Sequence, residues 1–217
     1  TVTTIGKEEK ESEQPKQKQN ETIYARERIK KVYSTDLCHI VFTSGSTGIP
    51  KGVLVEHQSL VTYGYAKSKT QSMHVKNTKL LLASSFTFDP YIGDVVTTLC
   101  CSSGNAILCM APRENILMQL DKCLVTLGIT HVCCTPAHWS TLGENVNSNN
   151  YKMLKFVSLG GEKMSISLIK QWTIEQRKDF SLINTYGVTE ATVYQSINVM
   201  HRNSSPSDLG TPLPGIT

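Results

Sequence analysis

Residues 43–52 read TSGSTGIPKG and directly follow a short apolar run at 38–43. Glycines let backbone N–H groups come close to an anion. The hydroxyls of Thr43, Ser44, Ser46 and Thr47 and the ammonium of Lys51 add donors and charge. That combination is the chemistry of a loop that grips phosphate. A Walker-type nucleotide loop requires G-x-x-x-x-G-K-[ST]. Counted from Gly45, Pro50 takes the second glycine position and Gly52 follows Lys51, so the register fails. Two further polar loops follow predicted strands: Leu159-Gly160-Gly161-Glu162, and residues 184–190, NTYGVTE. A lone acid, Asp89, stands between Phe88 and Pro90.

The elements that must position these loops alternate in type. Short apolar runs, several rich in β-branched residues, occur at 38–43, 80–84, 106–109, 130–135, 156–159 and 182–185. Between them lie stretches with helical spacing at 57–69, 91–101, 113–127, 137–142 and 165–176. In 113–127, the residues Ile116, Leu117, Leu120, Cys123, Leu124 and Leu127 fall on one helical face. Alternation of this kind predicts an α/β fold, βαβ units around a mainly parallel sheet. Residues 206–215 are rich in turn formers and read as a loop.

The chain has 217 residues and a formal net charge of +4. Length predicts one domain or slightly more. Lys and Arg are scattered rather than clustered into a basic face, so no nucleic-acid partner is expected. No run of 18 apolar residues is present, so no membrane span is expected. Residues 1–31 hold eight Lys/Arg and six Asp/Glu with few apolar groups. Such a segment cannot offset its ordering entropy and reads as a disordered lead-in, with a frayed helix possible over 21–31. It has no apolar core of the kind a secretory leader needs. Seven cysteines, mostly inside apolar runs and without zinc-site spacing, read as reduced buried thiols of a cytoplasmic protein.

The segment FTSGSTGIPKGV, followed in order by LGGE at 159–162 and NTYGVTE at 184–190, resembles the signature motifs of the adenylate-forming superfamily. That superfamily contains acyl-CoA synthetases, firefly-type luciferases and the adenylation domains of nonribosomal peptide synthetases. Val188 stands where proline is usual in the peptide-synthetase branch. The resemblance covers residues from about 36 to 217. It implies ATP-dependent activation of a carboxylic acid as an acyl-adenylate, with release of pyrophosphate and later transfer to a thiol. The reaction joins two anions, so catalysis is mostly charge neutralisation and alignment.

By the same resemblance, Thr43, Ser44, Gly45, Ser46, Thr47, Gly48 and Lys51 clasp the β- and γ-phosphates. Thr189 bonds the α-phosphate, and Glu190 helps hold Mg²⁺, a hard cation suited to oxygen ligands. Lys51, Thr189 and Glu190 form the catalytic set. Tyr186 stacks on adenine and Asn184 bonds its edge, with Thr185 and Gly187 beside them. Gly160, Gly161 and Glu162 line the base's other side. Plainer alternatives stay open: Tyr186 as a core aromatic, and Glu190 as a cap for the segment after it.

The pair Phe88-Asp89 resembles the amino-acid-activating branch, in which this aspartate meets the substrate ammonium. Burying a carboxylate without a partner is costly. Asp89 is therefore either an ammonium ligand or a cap for the helix beginning near Tyr91. Substrate walls are expected from near Gly93, residues 137–138, Ser158, Gly160, Thr185, Val193 and Tyr194. The resemblance also predicts the domain plan: a polar lead-in over 1–34, then the central part of an AMP-binding domain over 35–217. This is the partial N-terminal core of an adenylate-forming enzyme, with the C-terminal subdomain absent. Peptide synthetases and the related β-alanine-activating synthetases are the branches it points to. The implied acceptor is a carrier phosphopantetheine or coenzyme A. The competing expectations are an acyl-CoA synthetase for an uncharged acid, and a truncated, non-catalytic nucleotide-binding fragment.

Overall fold

The computed structural model describes residues 31–44, 48–173 and 177–216. The lead-in over 1–30, and with it all but Lys31 of the frayed helix expected over 21–31, lies outside them. The described part starts with a turn in which the Tyr33 N–H donates to Asp36 Oδ2 at 2.9 Å.

Seven strands form one sheet: β3 (Thr78–Leu81), β4 (Ala106–Cys109), β5 (His131–Cys134), β6 (Phe156–Gly160), β7 (Ser181–Tyr186), β8 (Ser196–Val199) and β9 (Thr211–Pro212). Their order is β4-β3-β5-β6-β7-β8-β9. The first five run parallel, and β8 and β9 return antiparallel. The strand expected at 80–84 starts two residues earlier, at Thr78, and ends three residues earlier, at Leu81, with 82–84 lying beyond it in the following loop. The tail at 206–215, expected as loop throughout, contains β9.

The run at 38–43 is not part of this sheet. It forms β1 (Leu37–Thr43) and pairs antiparallel with β2 (Lys51–Glu56) in a separate hairpin, with Thr43 opposite Lys51. The sequence reading missed β2 because the glycine-rich motif runs into it. Strand β8 was also missed, since its half-buried residues give no strong alternation.

The sheet buries both faces, as expected when crossovers cover a parallel sheet. Helices α1 (His57–Thr70) and α2 (Asp89–Cys100) cover one side. There Leu60, Tyr63 and Ala66 meet Cys133, Val193 and Tyr194. The other side carries α3 (Arg113–Met118), α4 (Leu120–Thr126), α5 (Pro136–Ser140) and α6 (Ile166–Thr173). Ile116, Leu124, Trp139, Ile169 and Trp172 pack there on Val132, Cys134, Val157 and Leu159. The period of two explains the division. Along β5, Cys133 faces the α1 side and Val132 and Cys134 face the other.

The single helix expected over 113–127 is two helices, broken at Gln119, where φ is −140° and ψ is 42°. Of its expected apolar face, Ile116, Leu120, Cys123 and Leu124 are buried and Leu127 half-buried, but Leu117 is exposed because the helix breaks after it. The Ile116 carbonyl accepts from His138 Nε2 at 2.9 Å. That is the carbonyl a continuous helix would give to the Leu120 N–H. All seven cysteines are free thiols. Among the described residues no helix is long and apolar enough to cross a membrane.

Three charged or titratable groups lie deep between α1 and the sheet. Lys67 and Asp94 pair there, at 3% and 0% side-chain exposure. His131 is also buried; its Nε2 bonds to the Gln71 carbonyl at 2.8 Å and its Nδ1 to Thr130 Oγ1 at 2.7 Å. A carbonyl only accepts, so Nε2 carries the proton. Burial holds the imidazole pKa down at about 4, against the partial offset of the Gln71 bond.

The unfolded chain protonates this histidine near its ordinary value, and the folded protein only near the lower one. Between them the unfolded state binds more protons, so stability falls as pH drops through that window, by about 3 kcal/mol in all. Urea midpoints should fall from about pH 7 to about pH 4.5, and His131→Gln should flatten the dependence. Lys67→Met strands the buried Asp94 carboxylate and should cost about 3–5 kcal/mol. The double change Lys67→Met with Asp94→Leu should recover most of that in the same urea titration.

Candidate active site

In open parallel sheets, loops leaving the carboxyl ends of the strands form a crevice where connections diverge to opposite sides. Here α2 follows β3 on one side of the sheet, and α3 and α4 lead into β5 on the other. At that edge lies a chamber of about 510 Å³. Its walls are the loop after β3 (Ala83, Ser84, Ser85), the start of α2 (Asp89, Pro90), the ends of β5 and β6 (Cys134, Thr135, Gly160, Gly161), and the loop between β7 and β8 (Gly187, Thr189, Val193, Tyr194). Arg113, Leu117 and His138 complete it. A second recess of about 360 Å³ shares Gly161 and Gly187 with it. Glu162, Lys163, Asn184, Thr185 and Tyr186 line that recess, facing Pro206, Ser207 and Leu209. A larger groove of about 570 Å³, between the end of α5 and α6, contains none of the residues singled out by sequence.

Asp89 does not cap its helix. The N-cap position is Phe88, without a side-chain cap, and Asp89 sits in the first turn. Its Oδ2 accepts the Val193 N–H at 3.1 Å. The Thr189 hydroxyl also bonds the carboxylate. Burial raises the carboxyl pKa above its ordinary value, and the bonds from Val193 and Thr189 offset part of that rise. Among the described residues lining the chamber, Asp89 is the sole acid. A desolvated carboxylate in this state gains from a cation placed beside it.

The loop between β7 and β8 carries Thr189 and Glu190 on a short 3-10 turn, Thr189–Ala191. Glu190 is exposed and Thr189 half-buried. Strand β2 lies against this turn, so the strand that begins with Lys51 approaches the segment that carries Thr189 and Glu190. Thr192 and Val193 both have positive φ, 69° and 62°. For β-branched residues that conformation is strained, at a cost of about 1–3 kcal/mol each. Gly187 is needed where it stands: a Cβ there would collide with the Val193 carbonyl and the Tyr194 backbone. At Gly160 a Cβ would run into Thr185 and the Tyr194 ring.

Most of the residues expected at the site converge. Asp89, Gly160, Gly161, Gly187, Thr189 and Val193 share the chamber, and Glu162, Asn184, Thr185 and Tyr186 share the recess. Tyr186 is 47% exposed, which disposes of the core-aromatic alternative. Glu190 caps no helix in the structure; the turn it occupies has no side-chain cap. Asn184 Nδ2 donates to the Asp208 carbonyl at 3.0 Å and ties the 206–209 segment to β7. Glu162 Oε1 accepts the Ala137 N–H at 2.8 Å, at the start of α5.

Other residues fall elsewhere. Ser158 lies behind the chamber; its Oγ accepts from Gln71 Nε2 at 2.9 Å, and with Thr185 it lines a void of about 10 Å³. Gly93 packs against Tyr63 and Val193 on the inner side of α2. Of the glycine-rich loop expected to grip phosphate, Thr43, Ser44, Gly48 and Lys51 are described, at the end of the β1–β2 hairpin. Gly45, Ser46 and Thr47 lie outside the described residues. Arg113, Ser84 and Ser85 in the chamber wall carried no sequence signal, since no motif surrounds them.

The oxygen donor expected to help hold a metal is Glu190, exposed on the turn that also carries Thr189. Among the described residues no cluster of three or more His, Cys, Asp or Glu side chains is arranged to hold one. Hard oxygen donors, too few for a complete protein cage, suit Mg²⁺, which keeps its waters and takes further ligands from substrate phosphates.

Comparison with known proteins places this geometry. The ferrichrome siderophore peptide synthetase of Mycosarcoma maydis is 30% identical over 188 residues, covering 84% of this chain and 4% of the synthetase. Gramicidin S synthase 2 of Brevibacillus brevis is 29% identical over 183 residues, again covering 84% of this chain and 4% of the synthetase. The chain thus spans a small fraction of these curated relatives. The Vibrio cholerae adenylation domain AlmE, crystallised with glycyl-adenosine-5'-phosphate, superposes with a TM-score of 0.65 at 22% identity, covering 79% of this chain and 32% of that one. The N-terminal subdomain of Klebsiella oxytoca NpsA, in complex with 3-hydroxybenzoyl-AMSN, gives 0.67 at 22% identity, covering 84% and 46%. These structures share the fold. The family described as AMP-binding enzyme matches residues 1–217. With that match spanning the whole sequence, and its motif loops gathered at one edge of a mainly parallel sheet, the chain belongs to the AMP-binding enzyme family.

Proposed function

We propose that this chain forms part of an active site that joins an amino acid to AMP. The amino-acid carboxylate oxygen attacks the α-phosphorus of ATP. A new P–O bond forms, the bond from Pα to the bridging oxygen breaks, and pyrophosphate leaves with the electron pair. The acyl-adenylate would then pass to a thiol, on a carrier phosphopantetheine or coenzyme A.

The observation that carries this reading is Asp89. It is a desolvated carboxylate, the sole acid among the described chamber-lining residues, placed next to Thr189. An α-ammonium bound there would relieve the carboxylate and leave the substrate's own carboxylate directed toward Thr189. The glycyl-adenosine-5'-phosphate complex of the AlmE neighbour supports an amino acid as substrate.

Other roles follow from placement. The recess between Gly161, Glu162 and Tyr186 takes the base, with Tyr186 offering a ring face and Asn184 an edge. The β1–β2 hairpin, through Ser44, Gly48 and Lys51 together with Gly45, Ser46 and Thr47, holds the β- and γ-phosphates. Thr189, its hydroxyl released from Asp89 once a substrate ammonium takes over that carboxylate, would donate to the α-phosphate. Glu190 would hold Mg²⁺, which when bound neutralises phosphate charge. Gly93 and Ser158 support the substrate wall through Val193 and β6 rather than by lining the chamber.

Amino-acid-dependent exchange of pyrophosphate into ATP tests the reading. Asp89→Asn keeps an acceptor for the Val193 N–H and removes the charge. It should raise KM for the amino acid about 10–100-fold, the worth of a hydrogen bond to a charged group, while ATP binding stays unchanged. Equal use by the wild type of the amino acid and its analogue lacking the amino group would instead favour an uncharged acid as substrate. Glu190→Gln should lower kcat by about 100-fold and raise the Mg²⁺ concentration needed for half-maximal rate. An Mg²⁺ response identical to wild type would remove Glu190 from the metal site.

A further inference from the structure

The β7–β8 loop must hold Thr189 and Glu190 in place, although its backbone includes two strained β-branched residues. One side chain, from a residue outside every motif, spans its interior. Gln195 Oε1 accepts the Val188 N–H at 2.8 Å. Gln195 Nε2 donates to the Ala191 carbonyl at 3.0 Å and reaches the Thr192 carbonyl at 3.3 Å. The Gln195 backbone N–H closes the base of the loop on the Tyr186 carbonyl at 2.8 Å. A single primary amide thus supplies an acceptor to the residue before Thr189 and donors to the two residues after Glu190.

No smaller residue could do this. Serine, threonine and alanine lack the reach, and a glutamate could supply the acceptor but would set a second lone-pair oxygen against two carbonyls. Gly187 packs beside the same amide: a Cβ there would approach Gln195 Oε1 to 3.0 Å. Asp89 holds the loop from α2 through Val193, and Gln195 holds it from within. The two contacts fall on either side of the strained Thr192.

We infer that Gln195 is a positioning residue for the adenylation reaction, setting where Thr189 and Glu190 present their oxygens to the α-phosphate and metal. The inference rests on the proposed function for its chemical consequence and on the hydrogen bonds for its structural one, and the two can be separated by experiment.

The test compares wild type with Gln195→Met, a near-isostere without hydrogen-bonding groups, and Gln195→Glu. Two readouts are taken on each protein. Hydrogen–deuterium exchange at the amides of residues 188–192 reports the brace without reference to any reaction. Pyrophosphate exchange, with Mg²⁺ and ATP varied separately, reports its effect on chemistry. In Gln195→Met, exchange in 188–192 should quicken by about tenfold or more while amides of β6 and β7 keep wild-type protection. Its kcat should fall by about 100-fold with a raised Mg²⁺ requirement and a nearly unchanged KM for the amino acid. Gln195→Glu should retain protection at Val188 but lose it at Thr192.

Wild-type amide protection across 188–192 in Gln195→Met overturns the inference. So does quickened amide exchange with unchanged kcat and Mg²⁺ dependence. If the wild type itself shows no pyrophosphate exchange with any amino acid, the proposed function fails. The amide measurement then still decides whether Gln195 holds the loop. A global loss of protection in Gln195→Met signals misfolding, and the decision passes to Gln195→Glu: uniform protection at Val188 and Thr192 in that variant counts against the inference.

Discussion

The contact on which the site depends is between the Asp89 carboxylate and the Val193 N–H. It joins the first turn of α2, which covers one side of the sheet, to the return loop after β7, at the sheet's carboxyl edge. Burial raises the cost of that carboxylate, and the same burial strengthens each bond it makes. Were Asp89 absent, the left-handed backbone at Thr192 and Val193 would lose the external bond that offsets its strain. The chamber would also lose the sole acid among its described lining residues, leaving Arg113. One group therefore stands in two places: it bonds the loop that carries Thr189, and it is the sole acid among the described residues of the chamber wall, where under the proposed function it would meet a cation.

Behind this contact lies a second polar layer. Lys67, Asp94, Gln71, Ser158 and Cys133 sit between α1, α2 and the sheet, at a depth where parallel-sheet proteins ordinarily bury hydrocarbon. A buried ion pair contributes little net stability, because desolvation consumes most of the attraction. Its effect is orientation: Lys67 on α1 fixes Asp94 on α2, and with it the rotation of the helix whose first turn carries Asp89. Tyr194 reaches into the same layer, with its hydroxyl 3.9 Å from Cys133 Sγ. Burial pushes that thiol up to about 11, the nearby Lys67 partly opposing, which keeps it protonated and unreactive.

The sequence made the parallel part of the fold legible, because β5, β6 and β7 are buried on both sides and read as continuous apolar runs. Two of the motif loops, at 159–162 and 184–190, were legible for a related reason: they lie at the carboxyl ends of β6 and β7, where parallel topology gathers loops whatever their sequence separation, whereas the glycine-rich motif joins the strands of the separate β1–β2 hairpin. What escaped was set by tertiary contact. The break at Gln119 depends on a carbonyl captured by His138, 22 residues away. The hairpin partner β2 was hidden because the glycine-rich motif is read as a loop to its end, yet Lys51 already belongs to a strand. Asp89 presented two local possibilities, ammonium ligand and helix cap, and its bond to a residue 104 positions away removed the second. Arg113 reaches the Ala83 carbonyl 30 residues away, which no spacing rule encodes, and Gln195 bonds backbone groups only three to seven residues away but through a loop conformation that no motif announces.

The strain at Thr192 and Val193 bears on how such a loop can work. Left-handed β-branched residues at a combined cost of a few kcal/mol would normally relax, and they persist only where surrounding contacts over-determine them. Here the contacts come from two directions: a carboxylate on a helix and the side-chain amide of Gln195, just before the following strand. Each is a polar group that water could solvate equally well if the loop opened. The folded loop is therefore favoured by a margin smaller than its number of hydrogen bonds implies. An anion arriving against Thr189 and a cation arriving against Asp89 would both add to the braced state and not to the open one. Under the proposed function, substrate binding and loop order would thus be linked through Asp89, the sole acid of the described chamber wall and the acceptor of the Val193 N–H.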